Sequence, residues 1–117
     1  MSIERIDAGP RMSAAVVHGD TVYLAGQVAK HAAGKSVAEQ TREILEIIDG
    51  LLARAGTDKT RMLSVTIYLA DIQTFAEMNS VWDSWVAHGS TPARATVEAK
   101  LAAPQYTVEI ACIAAKS

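Results

Sequence analysis

A chain of 117 residues, half of them hydrophobic and 21% charged, suits one domain (1–117) with a real core and leaves little room for two. The net charge of -2 supplies no basic field to attract nucleic acid, and no apolar run approaches the ~20 residues needed to span a bilayer. The one cysteine, Cys112, excludes an internal disulfide and a cysteine-built zinc site.

The first residues, Met1-Ser2-Ile3-Glu4-Arg5, lack the basic and then apolar layout of a secretion signal, so a cytoplasmic location is expected. A short strand near Ile3 to Ile6 is followed by Ser13 to Val17 and Thr21 to Gln27, which flank His18-Gly19-Asp20. Gly19 and Asp20 are turn residues, so this pair reads as a hairpin. Ser36 and Glu39 fit a capping box. The helix that follows carries Val37, Ile44, Ile47, Ile48, Leu51 and Leu52 on one stripe and Glu39, Arg42, Glu43 and Glu46 on the other side. Gly56 closes it.

Met62 to Leu69 reads as a strand, with Leu63, Val65, Ile67 and Leu69 alternating with Met62, Ser64, Thr66 and Tyr68. Asp71 is placed to cap a second helix, whose apolar stripe is Ile72, Phe75, Met78, Trp82, Trp85 and Val86. His88-Gly89 stops it. Two last strands, about Arg94 to Leu101 and Tyr106 to Ala114, are expected to form a hairpin around Ala103-Pro104. Two strand-helix-strand units predict parallel pairing, and the hairpins add antiparallel pairs. The fold class is therefore α+β: a mixed sheet with both helices on one face. The other face would hold Thr21, Tyr23, Ala25, Ser64, Thr66 and Tyr68. These are too small and too uncharged for a solvated face, which predicts packing against another copy of the chain.

The last quarter carries the candidate chemistry. Arg94 heads a strand directly after Pro92-Ala93, a stiff entry, and Thr96 points to the same side about 7 Å away. A guanidinium there offers two parallel donors to a carboxylate. Taken alone, Arg94, Thr96, Glu98 and Lys100 alternating with Ala95, Val97, Ala99 and Leu101 also describe an ordinary half-exposed strand. Glu109 lies among Val108, Ile110, Ala111 and Ile113, where an unpaired carboxylate is costly to bury. It is a proton-handling group or half of a structural salt bridge. In a hairpin around Ala103-Pro104, Glu109 faces about Glu98 and Arg94 lies ~13 Å further along, far for one small ligand. Either the register differs, or the long Arg94 side chain leans back, or a second subunit completes the cleft, the last being the preferred expectation. His18, His31 and His88 form no metal motif. The segment at Gly34 lacks the pattern of a phosphate loop. Trp82 and Trp85 read as core or interface. Cys112 reads as a buried small hydrophobe.

Pro92-Ala93-Arg94-Ala95-x-Val97, the basic Lys100, Leu101 and then Val108-Glu109-Ile110 resemble the signature of the reactive-intermediate deaminase (RidA-like) family. Ala25-Gly26-Gln27 resembles the family's first glycine-containing strand end, and Phe75-Ala76-Glu77-Met78-Asn79 its second-helix motif. The resemblance covers nearly the whole chain. It implies a chorismate-mutase-like fold of the bacillus type, a homotrimer whose sheets pack around a central barrel, and ligand clefts between subunits. It implies hydrolysis of 2-imino acids or their enamine tautomers, such as 2-iminopropanoate or 2-iminobutanoate, to 2-oxo acids and ammonia, with no metal or organic cofactor. By position, Arg94 matches the arginine that binds the substrate carboxylate and Glu109 the carboxylate that orients water or moves a proton. Asn79 matches an asparagine near the site, and Gly26 a glycine whose backbone lines the pocket. Thr96 stands where many members have cysteine. Gly9-Pro10-Arg11-Met12 lacks the tyrosine of the family's N-terminal motif. Those two departures leave open a non-catalytic homotrimer that binds small carboxylates, and a hydrolase of other carbonyl compounds in the same cleft.

Overall fold

Local signals set most element ends. In the computed structural model, which describes residues 2–116, the order is β1 (Ile3–Ile6), β2 (Ala15–His18), β3 (Thr21–Gln27), α1 (Val37–Arg54), β4 (Met62–Leu69), α2 (Phe75–Trp85), β5 (Ala93–Glu98) and β6 (Val108–Ala115). The Ser36 hydroxyl accepts from the Glu39 amide and donates to its carboxylate, so Ser36 caps α1 as expected, with its hydroxyl rather than its backbone N–H as the donor to Glu39. At the other end, Gly56 takes φ 86°. Its N–H donates to the Ala53 carbonyl and the Thr57 N–H to the Leu52 carbonyl, which is the Schellman closure that a glycine makes without a Cβ clash.

The second helix starts later than its cap suggests. Asp71 accepts from the Gln73 N–H and caps a 3-10 turn over Ile72–Thr74, and α2 begins only at Phe75. Ile72 and Phe75 consequently stay 41% and 40% exposed, whereas Met78, Val81, Trp82 and Val86 are buried. A second local departure is a bulge in β4 between Met62 and Ser64. The extra residue turns Leu63 out to solvent and Met62 into the core, inverting the alternation expected there.

The sheet order is β1-β2-β3-β6-β4-β5. The expected hairpin of the last two strands does not form. β5 pairs parallel to β4, and β6 pairs antiparallel to both β3 and β4, so β4 lies between the two. Composition accounts for this. β6 reads Val-Glu-Ile-Ala-Cys-Ile-Ala-Ala, apolar on both sides except for Glu109, and suits a central strand. β5 carries Arg94, Thr96 and Glu98 and exposes Ala93, Ala95 and Val97, which suits an edge. The connection 99–107 is pinned on its way across. Gln40, fully buried on α1, donates to the Lys35 and Gln105 carbonyls and accepts from the Thr107 N–H.

One face of the sheet is sealed. Val22, Leu24, Val65, Ile67, Leu69, Ile110 and Cys112 meet Ile44, Ile48, Leu52, Met78 and Trp82 of the two helices in a single core. The other face, with Thr21, Tyr23, Ser64, Thr66, Tyr68 and Ala111, is half-buried or exposed, with no second layer over it among the described residues. The architecture is α+β, as expected.

Candidate active site

Strand register decides which site residues can meet. Arg94 stands directly across from Val65 and Thr96 across from Ile67, both core residues, so these two side chains lie on the helix face at the sheet's edge. Glu109 stands across from Tyr68, one step out of phase with Ile67, so it lies on the open face. Arg94 and Glu109 therefore emerge on opposite sides of the sheet, with β4 between their strands. The ~13 Å separation expected from a hairpin does not apply. A difference of face replaces it.

The helix-face set gathers around α2. The Arg94 guanidinium lies 5.2 Å from the ring centre of Trp82 and 5.7 Å from that of Phe75, within cation–π range. Asn79 falls between those rings on α2, four residues after Phe75 and three before Trp82, on the same stripe. Its Oδ1 and the Thr96 Oγ1 are buried and have no hydrogen-bond partner among the described residues. Among the described residues the only ion pair is Arg54 with Asp7 at 2.8 Å, so Arg94 has no carboxylate of its own. An unpaired cation on the same face of the sheet's edge as two unsatisfied polar oxygens marks this edge as a candidate anion site.

The open-face set is Gly26 with Glu109. β3 carries an extra residue against β6 between Leu24 and Gln27, and Gly26 sits in that irregularity. The Glu109 carboxylate lies over the Gly26 Cα so closely that a Cβ there would fall 2.1 Å from Oε2 and 2.9 Å from Cδ. Glycine is what allows the approach. Glu109 is half-buried and accepts no hydrogen bond among the described residues, although Tyr68 sits directly across from it. Two residues before Glu109, the buried Thr107 hydroxyl also lacks a partner.

Sequence reasoning named Arg94, Thr96, Asn79, Gly26 and Glu109 but assigned Phe75 and Trp82 to an ordinary apolar stripe. Their seven-residue spacing, which puts both on one side of α2, was the available signal. Hollows of the single chain occur elsewhere, among them one of ≈ 420 Å³ along His31, Lys35, Arg42 and Glu43, and one of ≈ 390 Å³ beside Lys100, Pro104 and Tyr106. Neither includes Arg94 or Glu109. The physical grounds for preferring the Arg94 and Glu109 sets are their unpaired charge and unsatisfied oxygens, which a merely concave surface lacks.

Other reactive types are placed away from chemistry. Burial pushes the Cys112 thiol up to about 12, so it is neutral and inert as a nucleophile. His18, His31 and His88 are all exposed. Among the described residues no cluster of His, Cys, Asp or Glu is arranged to hold a metal ion. No helix among the described residues is long and apolar enough to cross a membrane.

The family described as Endoribonuclease L-PSP matches residues 2–116. A RutC family protein of Haemophilus influenzae is 46% identical over 97% of this chain and 98% of its own length. The RutC family protein YoaB of Escherichia coli is 44% identical over 98% of this chain and 99% of its own. Among solved structures, NMB1025 of Neisseria meningitidis, a member of the YjgF protein family, superimposes with a TM-score of 0.96 at 46% identity, covering 100% of this chain and 97% of that one. The same fold, the same length and nearly half the residues in common leave one conclusion: the chain belongs to the RidA-like family, also called YjgF or L-PSP, and carries its chorismate-mutase-like architecture.

Proposed function

We propose that the protein hydrolyses small 2-imino acids, or their enamine tautomers, to 2-oxo acids and ammonia, without a cofactor. The observation that carries this reading is the unpaired Arg94 guanidinium beside the unsatisfied oxygens of Asn79 and Thr96. A 2-imino acid offers a carboxylate for the guanidinium and, one carbon away, an N–H group for an acceptor oxygen. Glu109, a free carboxylate, takes a proton from water as the water oxygen bonds to the imine carbon. The same carboxylate then delivers that proton to nitrogen. In the resulting carbinolamine Glu109 takes the hydroxyl proton and passes it to the amine, the C–N bond breaks as the C=O bond forms, ammonia leaves, and the 2-oxo acid remains.

Because Arg94 and Glu109 face opposite sides of one sheet, the reading places Arg94, Thr96 and Asn79 of one protomer against Gly26 and Glu109 of another, in a homotrimer. The uncovered, weakly charged sheet face supports such packing. The word endoribonuclease in the family description suggests RNA as a substrate. A net charge of -2 argues against it, since affinity for a polyanion comes mainly from basic side chains. A carboxylate-binding trimer without turnover is the alternative favoured by Thr96 in the cysteine position and by Arg11 after Gly9-Pro10.

The test is to generate 2-iminobutanoate enzymatically and follow its loss with wild type, Arg94→Ala and Glu109→Gln. Faster loss with wild type alone supports the reading. Binding of 2-oxobutanoate without acceleration supports the binding protein. Light scattering should return three times the chain mass of 12.5 kDa. Co-refolding the two inactive variants should restore activity at about a quarter of the clefts, by random assortment of halves around a closed ring. No recovery in mixtures would remove the shared cleft.

A further inference from the structure

We propose that Phe75 and Trp82 form an aromatic slot that positions the Arg94 guanidinium, doing the orienting work that an acidic partner does for most arginines. The inference rests on the reading above, in which Arg94 grips the substrate carboxylate, and deepens it by naming what aims that grip. An arginine at an anion site faces a conflict. A carboxylate within the protein would orient it but would also occupy the donors and cancel the charge that the ligand needs. A ring face resolves the conflict, because it attracts the cation through its quadrupole and accepts none of the in-plane N–H donors.

The surroundings match that requirement. Both rings lie within cation–π distance, at 5.2 and 5.7 Å, and Arg94 has no carboxylate among the described residues. The nearest acid along β5 is Glu98, and its carboxylate is committed elsewhere. It accepts from the Ile72 N–H at 3.0 Å and so ties the start of α2, with Phe75, to the strand that carries Arg94. The deeper ring is braced from behind. Trp82 is 6% exposed and packs on Trp85, ring centres 5.5 Å apart. Trp85 in turn donates its indole N–H to Asp49 on α1 at 2.8 Å and lies under the Lys59 ammonium at 4.9 Å. Trp82 is thus a fixed wall. Phe75, at the helix start and 40% exposed, is the outer wall. These two are positioning residues, acting through Arg94 on the ligand.

The experiment uses the full chain and 2-oxobutanoate as probe. Isothermal titration gives the Kd of wild type, Phe75→Leu, Phe75→Tyr, Trp82→Leu and Trp82→Phe. Nitrogen-15 NMR follows the Arg94 Nε–H resonance, assigned by its disappearance in Arg94→Lys. Ring-current displacement of that resonance is a signature that general loss of packing does not reproduce. We expect Phe75→Leu and Trp82→Leu to raise Kd by about tenfold and to move the Nε–H resonance towards its free-arginine position, while the aromatic replacements stay within about threefold of wild type. Trp82→Leu opens the core and lowers stability. Phe75→Leu lies at the surface, leaves the melting temperature in place, and carries the test if Trp82→Leu fails to fold. An unshifted Nε–H resonance in wild type, or wild-type affinity in Phe75→Leu, overturns the slot. Wild type that binds no 2-oxo acid removes the functional reading instead, and the resonance still decides whether the rings hold Arg94.

Discussion

Replacing Gly26 by Ala separates stability from chemistry at this site. The new Cβ would sit 2.1 Å from Glu109 Oε2 and 3.1 Å from its Cγ. The carboxylate must retreat by about 1 Å or more to reach ordinary contact distance. Gly26 does not occupy the left-handed region, so alanine fits its backbone. The clash falls on the far end of a flexible side chain, and an off-rotamer Glu costs about 0.5–1.5 kcal/mol. Alanine also loses less conformational freedom on folding than glycine, a gain of about 0.4–1 kcal/mol. The two nearly cancel, so stability should stay within about 1 kcal/mol of wild type. Turnover should not, because a catalytic group displaced by about 1 Å costs on the order of 100-fold. Thermal melting and imine hydrolysis on the same preparation give both numbers. In a Glu109→Ala background the substitution has nothing to displace, so it should add no further loss of rate, which closes a double-mutant cycle. Full activity in Gly26→Ala refutes the role given to Glu109. A large drop in melting temperature refutes the assumption that Glu109 is free to move.

Gly56→Ala should behave in the opposite way: at φ 86° with Lys116 Cε 3.2 Å from the added Cβ, it should destabilise by about 1–2 kcal/mol and leave the rate per folded molecule unchanged. Cys112 should resist iodoacetamide in the folded protein at pH 8, because its thiol stays protonated up to about 12, and should alkylate once denaturant exposes it. The two hydrogen bonds from Arg54 hold the Asp7 carboxyl below the usual carboxylate range. A depressed folded-state pKa adds stability that is present above the unfolded value of 3.8 and is lost as pH falls through the lower folded value. Arg54→Met should therefore lower the melting temperature slightly at pH 6 and converge with wild type in strong acid, a small effect because both groups are exposed.

How legible the fold was depends on the range of the signal. The cap at Ser36, the closure at Gly56 and the hairpin at Gly19-Asp20 are each written within a few neighbouring residues, and each forms. The misplaced hairpin is a long-range matter. Sequence proximity favoured joining β5 to β6. The apolar character of β6 on both faces, and the polar alternation of β5, were the better guide. The start of α2 was misjudged for a related reason. Asp71 does cap a turn, but its preference for local bonding does not specify whether 3-10 or α geometry follows. Phe75 and Trp82 escaped notice because a ring beside a cation and a ring in a core leave the same letter pattern.

The consequence for the site follows from parity. Pairing keeps directly opposed residues on one face, so Val65 with Arg94 and Tyr68 with Glu109 lock the two charges to opposite sides of β4. No rotamer change brings them together through a layer filled by Val65, Ile67 and Ile110, all buried. A one-residue slip of β5 would put Arg94 on the Glu109 side, but it would also turn Ala93, Ala95 and Val97 inwards under α2 and leave Asn79 and the two rings without the cation. The register that builds the Arg94 half is thus incompatible with completing the site within one chain. Under the proposed function, chemistry that uses both charges therefore calls for a second copy, and either half by itself should bind weakly and turn nothing over.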